Sequence, residues 1–278
     1  MSSRLFLLGF ILSAPLWADS TLTSQIHEVD FDKNMTGETL VFLRSGRVVK
    51  LPKSNPKMAE VLMKKAHAKE WVNLQLNNNK EIVALQSIEA PLESMQKENS
   101  VEPYMPSVLG SLEWARRYFN ESRYNSKDSQ CFNRAHVWSH EWRVKHNFYS
   151  MKAYIFFTKK YIRKFNFDWW FHVAPLVHVV VNDKVEERVM DIKYARGPQK
   201  LKDWSDVFMR DDSACPIIKS YSEFADWPES SHCYIMRTSM YYYQPLDMEN
   251  LEKFGYEKNR WIEAEVQGAY AEAFNLGL

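Results

Sequence analysis

Trp169-Trp170-Phe171-His172-Val173-Ala174-Pro175-Leu176-Val177-His178-Val179-Val180-Val181-Asn182-Asp183-Lys184-Val185 decides the fold. Aromatic and β-branched residues fit a pleated, half-buried surface, so residues 169–181 read as a strand. Asn182-Asp183-Lys184 reads as a turn, and residues 185–192 return as the partner strand. Such a hairpin belongs to an antiparallel sheet. Working outward, residues 107–119 form a helix with Val108, Leu112, Ala115 and Phe119 on one stripe, and a second helix runs from Asp128 or Ser129 to about His146. Residues 154–157 and 234–243 are further strands. Residues 198–208 are a short helix with Leu201, Trp204 and Phe208 inward. A last helix, 260–274, packs through Ile262, Val266, Ala269, Tyr270 and Ala273. Helices first, then strands joined by hairpins, argue for an α+β domain with helices packed on an antiparallel sheet.

Upstream, residues 22–87 make a small α/β unit. Strands 39–43 and 48–51 flank Arg44-Ser45-Gly46-Arg47, a turn whose glycine suits positive φ. Asn55-Pro56 is an N-cap followed by proline at the first helical position; the helix buries Met58, Val61, Leu62 and Ala66. Strands 71–76 and 82–85 complete the unit. His27 and His67 stand alone and read as surface residues. Residues 88–107, with Pro91, Pro103 and Pro106 among polar residues, read as a linker, and the domain boundary falls near residue 100. Residues 1–18 have the form of a signal peptide: Arg4, an apolar run over 5–14, and Leu16-Trp17-Ala18 before Asp19. That run is too short to span a bilayer. The expected layout is a signal peptide over 1–18, a pro-segment or accessory unit with its linker over 19–100, and a catalytic domain over 101–278. The expected location is outside the cytoplasm, secreted or periplasmic.

Removing Arg4 with the leader from 36 basic side chains leaves them equal to the 35 acidic ones. That balance offers no electrostatic footprint for nucleic acid or an anionic membrane. Three cysteines are an odd number for an exported chain. Cys215 and Cys233, close in sequence, are the expected disulfide, which leaves Cys131 free.

Cys131 opens Cys131-Phe132-Asn133-Arg134-Ala135-His136-Val137-Trp138, a helix start. In the first turn the positive end of the helix dipole favours a thiolate over a thiol. A buried structural cysteine is the alternative reading. A cysteine nucleophile needs a base, and the base an orienting acceptor. His136 points about 140° away from Cys131 around the helix, so the base must come from elsewhere. His172, walled by two tryptophans and a phenylalanine, is the candidate; His178 competes, and a core histidine is the plain alternative. If Asn182-Asp183 form a two-residue turn, His172 faces Lys193 and Asp191 lies diagonal to it, with Cβ atoms about 7–8 Å apart. A one-residue change in the loop would turn Asp191 to the other face. A zinc site from Cys131, His136, His140, Glu141 and His146 is a second reading, without the His-Glu-x-x-His order.

The runs Cys131–Trp138, Trp169–Pro175 and Val189-Met190-Asp191 together resemble the protein-glutaminase (protein-glutamine deamidase) family, secreted bacterial enzymes with a transglutaminase-like Cys-His-Asp triad. The resemblance covers roughly residues 105–250. It implies Cys131 as nucleophile, His172 as general acid/base and Asp191 as its orienter. The family's aspartate is usually followed by a proline-containing segment, whereas Ile192-Lys193-Tyr194 follows here. The implied substrates are proteins with exposed glutamine, with no cofactor. The family's inhibitory pro-segment fits residues 19–100, which would cover the site. A transglutaminase, a cysteine protease, or a non-catalytic exported binding protein with a vestigial site are the alternatives.

Overall fold

A computed structural model describes residues 20–31, 39–52, 55–88, 104–122, 129–226 and 230–274. The expected signal peptide, the boundary near residue 100, most of the linker and Asp128 lie outside them. The N-terminal unit is a five-stranded sheet carrying one helix. Its elements are β1 (Ser20–Phe31), β2 (Thr39–Leu43), β3 (Val48–Leu51), α1 (Pro56–His67), β4 (Trp71–Leu76) and β5 (Ile82–Ile88), in sheet order β3-β2-β1-β4-β5. The sequence pattern assigns no strand to 20–31, yet β1 is the centre of this sheet. Its first half pairs with β4 and its second with β2. α1 is capped as expected, with Asn55 Oδ1 accepting the Met58 N–H at 3.2 Å. Leu62 of α1 joins Val72 and Leu74 of β4 in a small core.

The larger unit begins with β6 (Val108–Leu109), α2 (Leu112–Glu121), α3 (Cys131–His146), β7 (Met151–Phe157) and α4 (Lys159–Phe165). It continues with β8 (Phe171–Val181), β9 (Lys184–Val189), α5 (Leu201–Asp206), β10 (Ile217–Ile218) and α6 (Ser222–Asp226). β11 (Cys233–Ser239), α7 (Pro245–Phe254) and α8 (Glu263–Phe274) complete it. The sheet runs β10-β11-β7-β8-β6, with β9 on the other edge of β8, and its long pairings are antiparallel. The architecture is α+β.

The hairpin has the register its turn requires. Val181 pairs with Lys184, and Asn182 and Asp183 stand at φ 49° and 60°. Positive φ at both central residues is what a type I′ turn demands, and its twist matches the strands. The helix expected from 107 starts only at 112, because Ser111 caps it by accepting the Trp114 N–H. Val108 and Leu109 instead pair with His178 and Val179. α3 is buried on almost every face, between α8 and β8. Cys215 and Cys233 are bonded, tying the loop before β10 to β11, and Cys131 is the free cysteine. No helix among the described residues is long and apolar enough to cross a membrane.

The two units join through backbone as well as side chains. Val48 N–H donates to the Asp168 carbonyl at 2.8 Å, and Trp170 N–H to the Gly46 carbonyl at 3.0 Å. Trp170 Nε1 donates to the Leu43 carbonyl at 2.6 Å. Leu40, Phe42 and Val48 belong to the same buried cluster as Cys131 and Phe171. His27 differs from the expected surface residue: its ring stacks on Trp170 with centroids 4.5 Å apart and planes 3° from parallel.

Candidate active site

β8 carries His172 into the larger core, and α3 begins against it. Cys131, His172 and Asp191 are all buried, at 1%, 4% and 1% exposure. His172 Nε2 meets Asp191 Oδ2 at 2.6 Å, so Nδ1 is the ring nitrogen that can serve a nucleophile. Cys131 and His172 are close enough for each to shift the charge state of the other. Asp191 reaches His172 by a route the hairpin alone does not give. β9 stops at Val189, and the chain then curls so that Tyr194 and Ala195 N–H groups donate to the Asp191 carbonyl. The structure therefore brings Cys131, His172 and Asp191 together. His178 is left out: six residues along a strand are about 20 Å, and it faces Glu187 instead.

The electrostatics follow from this packing. Burial pushes the Cys131 thiol up, but the His172 charge, its hydrogen bond, Arg134 and the Val173 N–H together bring it below the ordinary thiol value. For His172, burial opposes the charged ring. Asp191 and the Cys131 thiolate overcome that and raise it to about 9. Burial raises the Asp191 carboxyl, and His172, the Trp204 hydrogen bond and Arg134 pull it net below its ordinary value. Each shift favours a thiolate–imidazolium pair beside an ionised aspartate.

Three neighbours have roles that the sequence pattern did not assign. Trp204 on α5 donates its Nε1 hydrogen to Asp191 Oδ2 at 3.0 Å. Tyr194 packs edge-on to His172 at 5.1 Å and keeps 37% of its surface exposed. Arg134 is buried on α3 near the helix start. Spacing read Trp204 as an inward helix residue, but its partner is set by tertiary packing. The expected N-cap is also different: Gln130 occupies that position and makes no side-chain cap bond. Ser129 instead accepts from Arg134.

The residues of the zinc reading separate. His136 Nδ1 meets buried Lys152 Nζ at 2.8 Å, His140 turns to the Tyr270 hydroxyl, and His146 pairs with Glu121 at 2.8 Å. Glu141 accepts from Lys145.

Fold and site define a class: an α+β protein with cysteine, histidine and aspartate gathered between a helix start and the neighbouring strand. Residues 111–208, which contain all three, match the family model described as Glutaminase. The matched segment is about a third of the chain. Similar solved structures include a crystal structure of pro-protein-glutaminase, with 14% identity over 80% of this chain and 83% of that one and a TM-score of 0.49. The NMR structure of protein-glutaminase from Chryseobacterium proteolyticum shares 15% identity over 50% of this chain and 77% of its own, with a TM-score of 0.34. No curated protein matches the chain.

Proposed function

We propose that this protein hydrolyses the side-chain amide of protein-bound glutamine to glutamate, releasing ammonia through a Cys131 thioester. The observation that carries it is the buried Cys131–His172–Asp191 contact within the segment that matches the glutaminase model. The Cys131 thiolate attacks the amide carbon. The first backbone N–H groups of α3, free of a side-chain cap, are suited to hold the oxyanion. Imidazolium His172 gives its proton to the leaving nitrogen, which departs as ammonia. The now neutral ring takes a proton from water, and the hydroxide attacks the thioester, restoring the thiolate and leaving glutamate. Asp191 keeps the ring oriented and supports its positive charge.

The test is ammonia release from a glutamine-rich protein by the processed enzyme. Cys131→Ala should reduce it to background while the fold persists, and His172→Ala should be nearly as damaging. Full ammonia release by Cys131→Ala would reject the mechanism. Lysine cross-links or chain cleavage in place of free ammonia would favour a transglutaminase or a protease. An inert wild-type protein would favour a binding role.

Residues 19–100 are proposed as a cover. Supporting this, the Arg44–Arg47 turn lies on the strand that carries His172: a Cβ at Gly46 would stand 3.0 Å from a Phe171 ring atom. The Arg47 guanidinium stacks on Trp169 at 4.3 Å, and its charge reaches Tyr194, beside His172. Cleavage in the segment 89–107 would then activate the enzyme. Equal ammonia release by residues 19–278 and by separated residues 100–278 would reject the cover.

A further inference from the structure

In its reactive form the site holds a thiolate, an imidazolium and a carboxylate, a surplus of one negative charge in a buried place. Uncompensated buried charge is unfavourable, and a nearby cation is the usual remedy. Arg134 follows Cys131 by three residues, so the two side chains share one side of α3. It is 3% exposed. Its guanidinium folds back toward the helix start, where Nη1 donates to the Ser129 carbonyl and meets Ser129 Oγ at 3.2 Å. A cation there opposes the helix dipole, whose N-terminal end is already positive. Helix stability therefore does not explain the placement, whereas the neighbouring anions do. The field of Arg134 acts on Cys131, Asp191 and Tyr194 alike. Besides Arg134, the titratable groups that face Cys131 are His172, Asp191 through His172, Tyr194 and the buried Tyr154 hydroxyl.

We propose that Arg134 is a positioning residue of this site: it fixes the Ser129–Cys131 entry to α3 and supplies the counter-charge that keeps the Cys131 sulfur ionised. This rests on the thiolate–imidazolium reading above. Arginine suits the task because it stays charged and holds a carbonyl through a rigid planar fork.

The experiment follows the ultraviolet thiolate absorbance of the full chain against pH, with Cys131→Ala as the blank. It needs neither substrate nor access to the buried sulfur. Wild-type protein should show a thiolate at neutral pH; if it shows none, the thiolate–imidazolium reading fails first. Arg134→Gln, with its fold checked by near-ultraviolet circular dichroism, should hold about tenfold less thiolate on the acid side of the transition, equivalent to a midpoint one unit higher. Arg134→Lys keeps the charge and should stay within about threefold of wild type there. An unmoved midpoint in folded Arg134→Gln would overturn the proposal. Should Arg134→Gln not fold, Arg134→Lys decides: a tenfold loss of thiolate despite the retained charge would reject the counter-charge.

Discussion

At the scale of single residues, Asp191 is the most constrained group in the site. One oxygen, Oδ2, accepts from both His172 at 2.6 Å and Trp204 at 3.0 Å. Two donors on one carboxylate fix the imidazole plane, as an outer-shell partner does at a metal site. Asp191→Asn keeps the shape but removes the charge that supports imidazolium, so turnover should fall by about a hundredfold or more. Trp204→Phe removes one donor from a residue with no exposed surface and should cost about tenfold. Equal ammonia release by Trp204→Phe and wild type would show that the indole contact is only packing. The pH profile follows from the same groups. The reactive pair exists where sulfur has lost its proton and the ring has kept one. Because the thiol lies below its ordinary value and His172 lies at about 9, activity should rise on the acid side with thiolate formation and fall as pH passes about 9. An alkaline limb near neutrality in ammonia-release assays would contradict the raised histidine.

At the scale of elements, the hairpin was the most legible part of the chain. Its aromatic and β-branched composition, its Asn-Asp turn and its register could all be read locally, because a two-residue turn fixes the pairing of both strands. The Asn182 turn carries a stability prediction: Asn182→Val forces a β-branched residue to φ near 49° and should cost about 1–2 kcal/mol in urea unfolding. An unchanged midpoint would mean that the turn relaxes. Other elements were hidden for physical reasons. β1 has apolar residues only at Leu22, Ile26, Val29 and Phe31, without a period of two, and its pairing to two strands is what stabilises it. α4 is a seven-residue, lysine-rich helix whose Thr158 cap accepts the Tyr161 N–H, too short for its periodicity to stand out. The run of α3 to His146 could be read from the chain, but not its surroundings. Buried on nearly all sides, it meets α8 through Asn133, whose Nδ2 donates to Glu272 at 2.6 Å. It meets β7 through His136 and the fully buried Lys152. Lysine is rarely buried, so nothing in the sequence marks Lys152 as an inner residue. The site follows the same division: Cys131 and His172 sit in motifs that can be read from the chain, whereas Trp204 and Arg134 gain their roles only from what folds against them.

At the scale of the whole molecule, the contact between the two units contains a proton-sensitive group. His27 stacks on Trp170, with Glu249 3.5 Å from its Nδ1 and Arg44 alongside. Burial first, then the charges of Arg44, Lys159 and Lys253, lower its pKa from 6.5 to about 3. Once the units separate, an exposed histidine returns to its ordinary value. The separated state therefore binds this proton more readily than the docked one. Docking strength from His27 is complete above about 6.5 and is lost progressively as pH falls toward about 3. The ion pairs of Lys159 with Glu28 and of Arg163 with Asp30 also bridge the units. Between pH about 7 and 5 the histidine should dominate the change. After a cut in the segment 89–107, the two pieces should hold together less tightly at the lower pH on size exclusion. His27→Phe keeps a flat ring for Trp170 but cannot take a proton, so its pieces should associate equally at both values. If the wild-type pieces also associate equally at both, His27 is not an acid release for the cover.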